Sequence, residues 1–514
     1  MRRFLLGSVA VLSILIGGVS AQTAKPRNSA AVVKAASSQP TYAVPFVSKT
    51  LANGLEVIVL QDSSVPIVTV ELAVRNGSFT ESADFHGLSH LYEHMFFKPN
   101  IAAQLHECEK ESVARAFSLA SNPVCTRAIA LKPKIGDTGY LNDASQVSLY
   151  NGTTREEIVN YFFNTTSPYL ATAIRVINDS VRFPSFDEAD FEAEKRVVIG
   201  EIDRHEANPY GYLDLTMKQK LFYKHPTRKD PKGTRESVGT STIEKMRTIQ
   251  ARYYVPNNSA LIVTGDAKPD EVFKLAEQVM GSWERRPVDP FKEFPLVEHP
   301  PLLKSEAVII EKPAEAGEGG EQGQNVFIEL GWHGPSIGKD DAATYAADVF
   351  SYIISQPNSR FQRKLVDSGL SASAGLGYYT QRNVGPINLL MVTRPENSKK
   401  ALAAVYTEIA DFTRPDYFTD EELDSAKTIL ESNDLFEREK ASEYAHILGF
   451  WWSSTGIEYF RGYHAKLRAV TRADINRYIK MYIHGKNHIG IALASPEAKK
   501  LAGLTEQDLI GGVK

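Results

Sequence analysis

The chain has no excess of basic charge, only two cysteines and, beyond the run Phe4–Ile16, no long apolar stretch. Each shortage removes a class of function. With 58 Lys and Arg against 62 Asp and Glu, a formal net charge of −4 and no basic stripe interleaved with aromatics, the chain lacks the electrostatic footprint of an RNA- or DNA-binding protein. No later segment is long and apolar enough to cross a bilayer, so no membrane span is expected. The hydrophobic fraction of 43% and charged fraction of 23% exclude a disordered chain and describe an ordinary globular one.

What is present starts with a targeting signal. Met1-Arg2-Arg3 is a basic n-region, Phe4–Ile16 an apolar core, and Val19-Ser20-Ala21 supplies small residues at the cleavage positions. Residues 1–21 therefore read as a signal peptide cut near Ala21-Gln22, with the mature chain periplasmic or secreted. No cysteine follows the apolar core, which argues against lipid attachment. Residues 22–45, rich in Ala, Ser, Thr and Pro, read as a flexible tether.

The segment His90-Leu91-Tyr92-Glu93-His94 places two imidazoles four positions apart with a carboxylate between them. On a helix these project from one face, so both histidines can hold a single metal ion while Glu93 stays within reach of a water on it. Leu88, Leu91, Met95 and Phe96 form an apolar stripe at helical spacing and should pack that helix into a core. His86 precedes Gly87, near the start of the helix, and reads as a loop or first-turn histidine. Two imidazoles and a base call for a third ligand, since zinc in hydrolytic sites takes three protein donors and keeps one position open. A second helix, predicted from Asp187 to His205, offers Glu194 and Glu201 seven positions apart on one face, with Val197, Val198 and Ile202 as apolar neighbours. Glu201 is the stronger candidate, because a carboxylate in the more apolar stretch is costly unless it is paired. Glu188 and Glu192 suit a solvated face.

The chain is also internally duplicated. Thr242, Met246, Tyr253, Asn258 and Val263 recur as Thr471, Ile475, Tyr482, Asn487 and Ala492 at a constant offset of 229, each set reading as a helix opened by Thr, a turn and a strand. Strand-like alternation in Leu55–Leu60 and Ile67–Val74, with long helical segments elsewhere, predicts an α+β fold of two homologous domains, each a largely antiparallel sheet packed with helices. The boundaries expected are 46–285 for the first domain, 286–305 for a Pro-rich linker and 306–505 for the second; residues 314–324 read as an acidic loop. Only the first half carries the metal motif.

These features together resemble the pitrilysin and insulinase group of zinc peptidases, the inverzincins, in which the Glu precedes the second His. The landmarks are Asn53-Gly54-Leu55, Arg75-Asn76-Gly77-Ser78, the His90–His94 motif, Leu141-Asn142, Glu194–Glu201, His225-Pro226, Tyr253–Asn258 and Thr264-Gly265-Asp266. The resemblance implies a processing-peptidase-like metallohydrolase fold, Zn2+ as cofactor held by His90, His94 and Glu201, Glu93 as general base and Glu194 as the second acidic catalytic residue. It further implies that Asn142 marks a strand edge that holds substrate backbone, and that the substrates are short or unfolded peptides.

Two departures from the family pattern stand out. His94 and Glu201 lie 107 positions apart, about thirty more than the resemblance implies, and the surplus forms an insertion at about 99–138 whose first half reads as a short helix. It contains Cys108 and Cys125, which in an exported protein are either a disulfide, favoured by the compartment, or two buried thiols. The second departure concerns substrate binding. Self-sufficient relatives carry an Arg four before and a Tyr three after the Gly of a Gly-Leu step, and aligned on Gly369-Leu370 these positions hold Leu365 and Ala372. Arg363, Lys364, Tyr378 and Tyr379 stand near enough to replace them by a local shift. Because some bacterial relatives, of mitochondrial-processing-peptidase type, divide the labour between homologous subunits, the chain is expected to be the zinc-bearing subunit of a heterodimer whose partner lacks the motif. A non-catalytic scaffold, a self-sufficient homodimer and a processing enzyme for one defined precursor are the other readings the sequence leaves open.

Overall fold

Runs of β-branched and aliphatic residues build two sheets, one from each half of the chain. The structure, a computed structural model, describes residues 44–115, 122–147, 149–312 and 325–511; the signal peptide, nearly all of the tether and the 314–324 loop lie outside these residues. The first sheet runs β1 (Val47–Thr50), β2 (Glu56–Gln61), β6 (Ser259–Gly265), β3 (Ile67–Val74), β5 (Val159–Thr166) and β4 (Leu149–Thr154) in spatial order. The second runs β7 (Glu306–Glu311), β11 (Ile489–Ala494), β8 (Val326–His333), β10 (Pro386–Thr393) and β9 (Ser373–Tyr378). Only β2–β6 and β7–β11 pair in parallel. The fold is α+β, and both sheets share one topology, with β2, β6, β3, β5 and β4 answering to β7, β11, β8, β10 and β9.

The longer helices are α1 (Leu88–Phe96), α2 (Ile101–Arg115), α3 (Pro123–Ile135), α4 (Leu170–Arg182), α5 (Glu188–Ala207), α6 (Pro209–Leu221), α7 (Ile243–Tyr253) and α8 (Pro269–Met280) in the first half. In the second they are α9 (Asp341–Ser355), α10 (Ser398–Asp411), α11 (Asp420–Glu437), α12 (Ala441–Ser454) and α13 (Arg472–Tyr482). Helices α7 and α13 stand in the same register of the repeat, each opened by a threonine, Thr242 or Thr471, whose hydroxyl accepts an N–H of the first turn. Among the described residues no helix is long and apolar enough to cross a membrane.

Strand periodicity divides the core. Val57, Val59, Val70 and Leu72 face α1, α4, α5, α7 and α8, whereas Ile58, Leu60, Ala73 and Ile262 face the second half of the chain. The helices covering those outer faces are exchanged: α12 packs on β3 and β6, and α6 packs on β8 and β11. Buried polar contacts reinforce the junction. Glu71 on β3 accepts from the Asn160 amide at 2.9 Å and pairs with His446 of α12. Lys229 donates to the carbonyls of Asn383 and Val384 at 2.6 and 2.9 Å, and Glu157 accepts the N–H of Arg382 at 2.9 Å and of Asn383 at 3.2 Å.

The first half of the inserted segment is a helix of 15 residues, longer than the short one expected, and the second half adds another. Asn122 caps a second helix with Pro123 in its first turn, so α2 and α3 form a hairpin joined by a Cys108–Cys125 disulfide. Ile101, Leu105 and Ala128 close a small separate core with Phe183.

Candidate metal centre

The first sheet delivers the chain from β3 into α1 through a tight approach. Gly87 adopts φ 81°, and a Cβ there would stand 2.6 Å from the Gly233 Cα and 2.7 Å from the Lys232 carbonyl oxygen. The Glu81 carboxylate takes the N–H groups of Gly87 (2.8 Å) and Ser89 (2.7 Å), supplying the cap that Gly87 lacks. Burial pushes the Glu81 carboxyl up to about 7 against the pull of those two N–H groups. Leu88, Leu91, Met95 and Phe96 are buried, which turns His90 and His94 to the same side, their ring centroids 4.9 Å apart and edge-on.

Helix α5 lies across that side. Asp187 caps it by accepting from Ala189 and Asp190, and Phe191, Lys195, Val198 and Ile202 face inward. Val197, grouped above with the apolar neighbours, is instead 45% exposed, because one residue of helix rotates it about 100° from Val198. Glu194 and Glu201 are thereby aimed at α1. The Glu201 carboxylate lies 3.4 Å from His90 Nε2 and 3.7 Å from His94 Nε2, and the three donor atoms fall within 4.8 Å of one another. Tetrahedral zinc with bonds near 2.0–2.1 Å needs donors about 3.3 Å apart, so this set fits the ion with little adjustment.

The surrounding groups prepare these donors. Burial and the neighbouring His94 push His90 down to about 4, keeping it a neutral imidazole. His94 rises to about 9 despite its burial, through Glu201, Glu93 and Glu194. Glu194 stands outside the donor set. Its Oε2 takes His94 Nδ1 at 2.9 Å and its Oε1 meets Lys98 Nζ at 2.5 Å, so His94 presents Nε2 to the centre. Although burial opposes it, Lys98 and His94 hold the Glu194 carboxyl below its usual range. Glu201 is also held down, first by its hydrogen bond to His94. Glu93 is 9% exposed and accepts the Thr154 hydroxyl at 2.9 Å. Its burial outweighs the His94 charge and lifts its carboxyl to about 7, close to the value that suits a proton acceptor at neutral pH.

Other expected residues fall elsewhere. Asn142 is not on a strand: it lies exposed on the 3₁₀ helix Gly139–Gln146, its amide turned back to the Gly139 carbonyl at 3.0 Å. The open edge beside Glu93 is β4, paired among the described residues only with β5, where Gly152 passes next to the Glu93 side chain. His86 bonds Asp230 and stays outside the donor set. Leu365 is fully buried in the second-domain core, and Ala372 is exposed. Of the four possible replacements, Arg363 and Lys364 are exposed, Tyr378 donates its hydroxyl to the Pro335 carbonyl at 3.0 Å, and Tyr379 stacks on Phe450. Thr154 and Lys98 were not anticipated, because each acts across a distance in sequence that no local pattern encodes; Glu81 caps Gly87 and Ser89 from outside the helix, six and eight residues away, where no capping pattern places it.

Residues 56–117 and 143–230 match the family model described as Insulinase (Peptidase family M16), and residues 240–430 match that of the Peptidase M16 inactive domain. The chain belongs to the insulinase family. The gap in the first match, 118–142, spans α3 and the turn after it. A zinc protease of Helicobacter pylori, PqqE, is 21% identical over 446 residues, covering 86% of this chain and 91% of that protein. Among solved structures, a protease from Helicobacter pylori superposes with a TM-score of 0.70 at 18% identity over 88% of this chain and all of that one. The periplasmic protease PqqL of Escherichia coli gives 0.66 at 15% identity over 91% of this chain and 50% of that one. This insulinase-family chain thus shares the two-domain α+β fold of its structural neighbours.

Proposed function

We propose that the chain is a zinc-dependent endopeptidase acting on extended peptides in an exported compartment, and that it works with a homologous subunit lacking the zinc motif. The observation that carries the proposal is the convergence of His90 Nε2, His94 Nε2 and a Glu201 oxygen beside the buried carboxylate of Glu93. When bound, zinc supplies a Lewis acid for the scissile carbonyl and acidifies a water. Glu93 takes the proton of the attacking water and delivers it to the leaving amine, with the Thr154 hydroxyl fixing one of its oxygens. Glu194 holds the His94 ring, and Lys98 holds Glu194. The unpaired edge of β4 accepts a peptide as an added strand, which admits extended backbone and rejects folded domains.

Two observations support a partner. The positions expected to bind the tetrahedral intermediate hold Leu365, locked in a core, and Ala372, which has no donor, and loss of such donors costs several kcal/mol in the transition state. Export is supported by the basic and apolar N-terminus and by the likeness in fold to PqqL, a periplasmic protease of Escherichia coli.

The deciding experiment measures zinc per chain and cleavage of a quenched unstructured peptide, with and without chelator, for the chain alone and after reconstitution with a homologue that lacks the His motif. One zinc per chain and chelator-sensitive cleavage that rises on reconstitution are expected. Glu93→Gln should keep the zinc and lose the activity. Full activity of the lone chain would overturn the split site, and activity indifferent to zinc removal would overturn the peptidase reading.

A further inference from the structure

We propose that a cavity at the junction of the two domains is a subsite for a basic side chain of the peptide substrate, with Asp348 as its counter-ion. This rests on the peptidase reading above for the nature of the ligand, though not for the site itself. The cavity measures about 230 Å³, below the roughly 300–1,000 Å³ of pockets that hold whole small molecules and suited to one long side chain. Tyr378, Tyr379, Phe450, Trp451 and Tyr463 wall it, with Asp348 of α9 and Arg155 as its charged lining residues.

Asp348 is the unexplained group. Its one hydrogen-bond partner is the Tyr463 hydroxyl, which donates at 2.6 Å, and no cation pairs with it among the described residues. Burial lifts its carboxyl to about 7 while the Tyr463 bond pulls the other way. A carboxylate kept among aromatic faces without a counter-ion is costly for the fold, and an arriving guanidinium or ammonium removes that cost while gaining the ring faces of Trp451, Tyr463 and Phe450. Trp451 and Tyr463 lie with centroids 4.7 Å apart, which gives the wall its shape in advance.

The cavity is placed for a peptide already lying on β4. Thr154, the last residue of that strand, touches Glu93, and Arg155, the next residue, lines the cavity. Successive side chains of an extended chain point to opposite faces of a sheet. A peptide added along β4 therefore turns one set of side chains to the face that carries the metal centre and the alternate set to the other face, and where the strand ends it meets the cavity at Arg155. Arg155 brings to the same lining a guanidinium that can donate to a backbone carbonyl of that peptide. The neighbouring turn is fixed by Lys229 and Glu157 through Asn383, Val384 and Arg382, so the walls are ordered before binding.

The test uses fluorescein-labelled decapeptides of Ala, Ser and Gly with one central Arg, and the same peptides with citrulline, titrated by anisotropy into Glu93→Gln protein to prevent turnover. The Arg form should bind about tenfold more tightly, and Asp348→Asn, checked for folding by melting, should close that gap. Phe450→Leu, at a half-exposed wall, should narrow it severalfold and serves if Asp348→Asn does not fold. Equal binding of the Arg and citrulline forms, no binding of either, or a gap that survives in folded Asp348→Asn overturns the subsite. Zinc-dependent cleavage of both peptides at equal rates removes this inference alone; Arg-selective binding without zinc-dependent cleavage even after reconstitution with the homologue that lacks the His motif removes the peptidase reading and leaves the cavity.

Discussion

The close approach of Gly87 to Gly233 makes a quantitative prediction about how α1 is held. In Gly87→Ala, two costs arise. The left-handed backbone at φ 81° carries about 1–2 kcal/mol for a residue with a Cβ. The methyl would also sit 2.6 Å from a backbone Cα and 2.7 Å from a carbonyl oxygen, neither of which is a flexible side-chain end, and such overpacking costs about 1–3 kcal/mol. A loss of about 2–5 kcal/mol is therefore expected from denaturant midpoints. Gly233→Ala should cost as much, since its φ is 77° and its Cβ would meet the Gly87 Cα at 2.7 Å and the His86 carbonyl at 2.8 Å.

The double variant separates the two costs. The backbone terms belong to different residues and add, whereas the steric terms act across one gap, and opening it for the first methyl makes room for the second. The pair should thus cost less than the sum by about 1–3 kcal/mol, a coupling that only residues in contact show. Because the gap lies three residues before His90, the single variants should also bind zinc more weakly in competition with a chelator. Singles within about 0.5 kcal/mol of the parent, the size of a neutral surface change, or strict additivity in the double variant, would refute the shared-contact argument.

Glu194→Gln weakens the hold on His94 Nδ1 and should lower zinc affinity about 10–100-fold, measured by chelator competition, with the fold intact. Cys108→Ser opens a disulfide with a sequence separation of 17 and should destabilise the α2–α3 hairpin by about 3 kcal/mol, seen as faster proteolysis within residues 101–135 while the metal centre keeps its zinc. Glu329 on β8 is raised to about 8 by burial, with Asp214 adding to the shift. Between pH 4.5, where the unfolded chain releases this proton, and about 8, where the folded one does, stability must fall as pH rises, by up to about 4 kcal/mol. Glu329→Gln should flatten that slope, leave stability near pH 4 unchanged and raise it at pH 8, as read by melting at the two pH values.

The spacing of His90 and His94, the Asp187 cap and the offset between Thr242 and Thr471 were legible because helical period and capping are local properties. The same locality explains what was not. Leu141-Asn142-Asp143-Ala144-Ser145 contains three residues whose side chains compete for nearby backbone groups, and it coils into a 3₁₀ helix, leaving the strand edge to begin at Leu149. Pro123 by itself does not reveal the second helix of the insertion, because a proline in the first turn opens a helix as readily as it ends one. Amphipathic pattern shows that α6 and α12 each have a face to bury; it carries no information on which sheet receives it, and both helices cross to the other domain.

The duplication bears on whether the clamp proposed to come from a second subunit can be built within this chain. Helix α9 follows β8 and packs on β9 as α1 follows β3 and packs on β4, so the two domains hold corresponding slots. The first slot converges two imidazoles and a carboxylate. The second offers Asp348 with Tyr378 and Tyr463, phenols that burial drives well above their ordinary range, and one carboxylate with neutral phenols does not make a zinc site. The second domain is left with binding, and even there the Arg position is closed. Leu365 has no exposure and sits on a π-helical turn within the core, where an unpaired guanidinium would cost several kcal/mol. Leu365→Arg should therefore destabilise the protein by about 3–5 kcal/mol without activating it, whereas Ala372→Tyr, at an exposed position, should leave the denaturation midpoint unchanged. A folded Leu365→Arg/Ala372→Tyr chain that cleaves peptides at full rate without a partner would show that the core yields more readily than its packing implies, and that the second subunit is dispensable.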